Sequence, residues 1–142
     1  MPDLTGAAVN ITCFADFLTA ATQQPQPQRL LFVFAAAELP DNPSKGQQMR
    51  FEAGQGGALA PVMCVDRLPA ELPGFEALLA ESQQMGKHWD IVFASGIAGK
   101  GGQAPSSQDA DQPLNQMVEM IRQGHIERFL TFTRQGELVQ LR

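Results

Sequence analysis

The stretch Arg29 to Ala37, RLLFVFAAA, decides how the rest of the chain is read. After Arg29 it is a continuous apolar run of strand length with Phe and Val at its centre, and a run apolar at every position has to be covered on both faces. It is expected to be a central strand. Upstream, Thr12 is placed to cap a helix in which Phe14, Phe17, Leu18 and Ala21 recur at the three-and-four spacing of one helical face. The proline-rich QQPQPQ at residues 23–28 should end that helix, because proline lacks the backbone donor and drives the preceding residue to an extended form. Residues 1–11 carry no strong periodicity and read as a loose leader, so one α/β domain is expected over 12–142.

Downstream, Asn42-Pro43 opens a weak helical stretch to about Glu52, followed by the flexible run Gly54-Gln55-Gly56-Gly57. Pro61 to Asp66 (PVMCVD) has the pattern of a second buried strand, with proline at its first position, one of the few places a strand tolerates it. Phe75, Leu78, Leu79 and Ser82 to Met85 define an amphipathic helix, preceded by Pro73 and stopped by Gly86. Trp89 to Ser95 (WDIVFAS) is the third apolar strand. Gly96 to Asp111 reads as a long, polar, mobile surface loop. Pro113 is then expected to begin a helix with Leu114, Met117, Val118 and Ile121 on one face, ended at Gly124. Arg128 to Thr133 and Glu137 to Leu141 form a hairpin around Gln135-Gly136.

Strands alternating with helices favour parallel pairing through crossovers. The expectation is an α/β fold with a mixed, mainly parallel central sheet of about five strands, a C-terminal β-hairpin, and three to four flanking helices.

Composition narrows the function classes. A chain of 142 residues is long enough to bury a substantial core without a metal or disulfide. A formal charge of −5 argues against nucleic-acid binding, which needs a basic stripe. Arg122, Arg128, Arg134 and Arg142 are interleaved with Glu119, Glu127 and Glu137, the pattern of a solvated face. Cys13 and Cys64 sit in apolar surroundings and read as reduced, buried thiols. The first ten residues lack the pattern of a secretory signal, and the longest apolar run is far below the ~20 residues of a membrane helix. A cytoplasmic protein with no membrane association is expected.

Ligands of open α/β sheets gather beyond the carboxyl ends of the strands. That rule selects Glu38 after the first strand, Asp66 at the end of the second, and Ser95 at the end of the third, with Gly99, Lys100 and Gly101 in the loop beyond. Glycine amides there could converge on a small anion and Lys100 could add a point charge, although the spacing is not that of a phosphate loop. His88 and His125 have no second ligand at metal spacing, so neither metal nor cofactor is expected, and as a general base each would need a carboxylate partner. Met117, Met120, Phe129 and Phe132 are assigned to the core. Trp89, beside the third strand, is expected to report on a ligand at this rim.

The stretches QRLLFVFAAAELP, FEAGQGGALAPVMCVD and MVEMIRQGHIERFLTFTRQGELVQL resemble a family of short bacterial proteins often labelled "ribonucleotide reductase subunit alpha", and the resemblance runs from Ile11 almost to the end. The catalytic alpha subunit uses a radical cysteine, a reducing pair and further tail cysteines, roles that two isolated cysteines do not fill. The resemblance therefore implies a bacterial cytosolic protein and carries over no catalytic residue.

Two functional readings follow. The first is a non-catalytic binding, accessory or regulatory module that meets a protein partner or a second copy of itself, with hairpin edges offering strand addition. The alternative is a small-molecule or nucleotide/anion-binding enzyme at the strand-end rim, using Glu38, Asp66, Ser95 and Lys100.

Overall fold

A computed structural model of the chain describes residues 11–38 and 58–139. The first ten residues of the leader, the weak helix at 42–52, the glycine run at 54–57 and the last three residues lie outside the described residues. The described elements are α1 (Phe14–Thr22), β1 (Gln28–Glu38), β2 (Ala58–Arg67), a short 3-10 turn (Pro69–Glu71), α2 (Phe75–Gln84), β3 (Ile91–Ala98), α3 (Ser107–Arg122), β4 (Leu130–Thr133) and β5 (Leu138–Val139).

The five strands form one sheet in the order β2-β1-β3-β4-β5, and every neighbouring pair is antiparallel. This corrects the expected mainly parallel sheet. The apolar run in β1 does lie at the middle of a doubly covered sheet, with Leu30 through Ala36 all buried. Double coverage, however, says nothing about strand direction. β2 and β3 each run opposite to β1 and hence parallel to one another. The β2-α2-β3 crossover is therefore real, but β1 occupies the place between its two strands. β2 is also an edge strand rather than a buried one, which suits Pro61.

The alternation of β1 splits the core in two. Leu30, Phe32 and Phe34 face α1 and α2, where they pack with Phe14, Phe17, Leu78, Val92 and Phe132. Phe14 is the hub of this layer, with ring centroids 5.8 Å from Phe32, 5.1 Å from Phe75 and 5.3 Å from Phe132. Such tilted and edge-on contacts suit the aromatic quadrupole. Trp89 belongs to the same layer, its indole N–H donating to Ser82 Oγ at 2.9 Å with the Arg134 guanidinium over its ring. Leu31, Val33 and Ala35 face the other way, against Ala110, Leu114, Met117 and Ile121 of α3.

Helix α3 begins six residues before the expected proline. Ser106 caps it by accepting the Asp109 N–H at 3.0 Å, while its own N–H donates to the Asp109 carboxylate at 2.9 Å. This reciprocal pair satisfies two end groups at once, and Pro113 is left inside the helix instead of starting it. The long loop expected between 96 and 111 is correspondingly short. β3 runs on to Ala98, and Lys100 to Gln103 make a tight turn with Gly101 and Gly102 at φ of 60° and 80°. At the other terminus Gly136, at φ 79°, turns the β4-β5 hairpin as expected.

Because Phe32 is wholly buried on the strand that both layers share, Phe32→Ala should cost about 3–5 kcal/mol of stability. Met85→Ala, at a residue 47% exposed, should stay within about 0.5 kcal/mol. Urea unfolding of the two variants against the parent checks the contrast.

Candidate functional site

The register of the sheet decides which expected site residues meet. Leu31 of β1 stands opposite Asp66 on one side and Ser95 on the other, so both lie on the α3 face in a single row across three strands. Two strand spacings put them roughly 10 Å apart. Glu38 belongs to the opposite end of β1, where it pairs with Ala58, seven residues and on the order of 20 Å away from that row. In an antiparallel sheet neighbouring strands end at opposite rims, so the common rim of Glu38, Asp66 and Ser95 does not form.

Asp66 is tied into a clamp at the start of α3. Its carboxylate accepts from Arg29 Nη1 at 2.6 Å and from the Ser107 hydroxyl at 2.8 Å. Arg29 also donates through Nε to the Pro105 carbonyl at 2.7 Å. Their side chains are only 13% and 15% exposed, so the pair joins β1 and β2 to the first turn of α3 largely out of water.

The glycine-rich turn is packed against the α1-β1 connection. Gly99 N–H donates to the Pro27 carbonyl at 2.8 Å, Lys100 N–H to the Gln103 carbonyl at 3.1 Å, and Gly102 N–H to Gln26 Oε1 at 2.9 Å. These amides are engaged within the protein and do not converge on an open point. Gly99 is required by close approach, since a Cβ there would stand 1.7 Å from the Gln103 carbonyl oxygen. Lys100 is exposed.

Ser95 lines a cleft of about 230 Å³ between β3, α3 and the segment that leads into β4. Leu31, Ile97, Met117 and Phe129 supply its apolar side, and Ser95, Gln116 and Arg128 a polar side of about equal extent. The cleft exists because α3 lies over β1 and β2, leaving the β3 side of this face to Phe129, whose ring meets Phe93 edge-on at 6.4 Å. Met117 and Phe132 are core residues as expected, whereas Met120 and Phe129 are half-buried and Met120 also borders the cleft. Arg128 is exposed and has no ion-pair partner among the described residues.

Two further groups carry chemistry. His88 Nε2 lies 3.0 Å from Asp90 Oδ1, and the other Asp90 oxygen accepts the Ala37 N–H at 2.8 Å. That pair pins the start of β3 to the end of β1 and leaves the imidazole 68% exposed. Cys64 is exposed, not buried as expected. Partial burial, together with the charges of Asp66 and Asp111, pushes its thiol above the ordinary value, which keeps it protonated and weakly nucleophilic at neutral pH. Among the described residues no three His, Cys, Asp or Glu side chains are grouped to hold a metal ion, and no helix is long and apolar enough to cross a membrane.

Trp89 lies in the α1/α2 layer, on the opposite side of the sheet from the cleft, so its fluorescence is not the reporter the sequence promised. Sequence reading missed Arg29, Ser107, Gln116 and Arg128. A usable signal existed for the α3 start in the Ser106-x-x-Asp109 spacing. No family model, curated protein or solved structure matches the chain.

Asp66→Asn removes one charge of a nearly buried pair and should cost about 3 kcal/mol in urea unfolding, because Arg29 is left without its counter-charge. Replacing both residues with apolar side chains (Arg29→Met with Asp66→Leu) should recover most of that loss. Acid should act at the helix caps. Hydrogen bonds from the Thr12 hydroxyl and amide lower the Asp16 pKa, and those from Ser106 lower that of Asp109. With the folded-state values depressed, this stabilisation is complete above the unfolded carboxylate range and is lost as pH falls through the lower folded values. Unfolding midpoints measured across that range should drop, and Asp16→Asn with Asp109→Asn should flatten the decline.

Proposed function

We propose that this protein is a non-catalytic binding module that receives a small organic ligand in the cleft between β3 and α3. The observation that carries the reading is the make-up of that cleft, where the apolar side chains of Ile97, Met120 and Phe129 stand beside polar Ser95, Gln116 and Arg128 in about equal measure. Small-molecule sites draw on both, apolar surface supplying affinity and polar groups supplying orientation. Several other reactive groups already have structural work. Asp66 holds Arg29 and Ser107, Asp90 holds the Ala37 amide and His88, and the Cys64 thiol is pushed up by partial burial and, second, by its acidic neighbours. That division supports binding over turnover.

A second reading, a partner strand added along β2, is favoured by one observation. Among the described residues the ten-residue β2 is paired on one side only. Strand addition uses such an edge, and concentration-dependent size in solution would be its mark.

The test of the first reading is methyl NMR on the full chain with labelled methionines. Small apolar fragments at millimolar concentration should shift the Met117 and Met120 methyl signals and leave Met85, which is exposed and remote from the cleft lining, in place. Ser95→Leu, which fills the cleft, should abolish the shifts. If no fragment moves either methyl, the cleft is only a packing defect at the helix border.

A further inference from the structure

Resting on the reading of the cleft as a ligand site, we propose that its ligand is a small monocarboxylic acid, with its apolar body against Met117 and Phe129 and its carboxylate on the Arg128 guanidinium. Size sets the first limit. About 230 Å³ falls below the usual ~300–1,000 Å³ of pockets for drug-sized ligands, which favours a ligand with a small body over a nucleotide or a dinucleotide. Charge sets the second. Arg128 is the cation among the lining residues and is unpaired among the described residues, while the chain as a whole carries −5. One guanidinium matches one carboxylate through two parallel hydrogen bonds. A polyphosphate would meet one local cation against a repelling background.

The lining sets the third limit. Ile97, Pro113, Met120 and Phe129 present hydrocarbon and thioether over a floor of nearly buried Leu31 and Met117, and a half-buried methionine such as Met120 reshapes around an aryl or branched alkyl group at small cost. Phe129 already holds an edge-on contact with Phe93, which fixes one wall against which an aromatic body can pack. Ser95 and Gln116 can each donate to a carboxylate oxygen or accept from a substituent on the body. An acid with an apolar body uses both halves of this surface. A bare inorganic anion uses only Arg128, and a neutral hydrocarbon leaves it unused.

The experiment uses the full chain with labelled methionine methyls and four probes: phenylacetate, phenylacetamide, inorganic phosphate, and a short blocked peptide with a free C-terminal phenylalanine. Phenylacetate should shift Met117 and Met120 with a millimolar dissociation constant, phenylacetamide should bind several-fold more weakly, and Arg128→Gln should cost phenylacetate about tenfold. Arg128 is exposed, so this variant should keep the parent spectrum elsewhere. Equal binding of acid and amide, or an unchanged constant in Arg128→Gln, overturns the carboxylate assignment and leaves the cleft a ligand site. Phosphate competing as well as phenylacetate overturns it in favour of simple anion pairing. Tighter binding of the peptide overturns it in favour of a protein C-terminus. Silence of both methyls with all four probes removes the assignment; the broader reading falls only if the apolar fragments are silent as well.

Discussion

The rest of the structure depends on the burial of β1 on both faces. Its alternating side chains reach into two separate layers, Phe32 and Phe34 towards α1 and α2 and Leu31, Val33 and Ala35 towards α3. No other described strand is buried so completely along its length. Its two neighbours must pair with it in registers that keep apolar groups in each layer, because a slip of one residue would exchange the faces. Those registers place Asp66 and Ser95 on either side of Leu31.

From that row the two sides of the α3 face diverge. On the β2 side, Asp66 and Arg29 hold the first turn of the helix through Ser107 and Pro105. The pair is shielded enough that its loss would strand a charge, and its value lies in fixing where α3 starts as much as in net attraction. On the β3 side the same helix placement leaves Ser95 uncovered, and Met120, Arg128 and Phe129 border the resulting gap. The cleft is thus a by-product of anchoring a single helix over one half of a wider sheet.

Among the described residues the acid-base groups fall into two separate places. Asp66 and the His88-Asp90 pair stand towards opposite ends of β1, near Arg29 and near Ala37 respectively. Cys64 shares the α3 face with Asp66, whose negative charge works against thiolate formation. Each of these groups is explained by what it joins or by what surrounds it.

Much of the architecture was legible in sequence. Local chemistry determined α1 through the spacing of Phe14, Phe17 and Ala21, α2 with its stop near Gly86, the position of β1 and β3, and the hairpin at Gly136. These are short-range effects of periodicity and backbone freedom, and residues within one element suffice to express them. Strand direction, the edge position of β2 and the early start of α3 were not read. An apolar strand reports only that both faces are covered, and Pro113 gave a stronger start signal than the Ser106 cap that prevailed. Of the candidate site, Asp66 and Ser95 were visible as strand-end residues, but what they face was not. The partners Arg29 and Ser107 lie 37 and 41 positions from Asp66, and Arg128 lies on a different element from Ser95. Only the pairing of β1 with β2 and β3, and the seating of α3 upon them, brings such distant groups together, because contact across strands is fixed by register and not by any local preference.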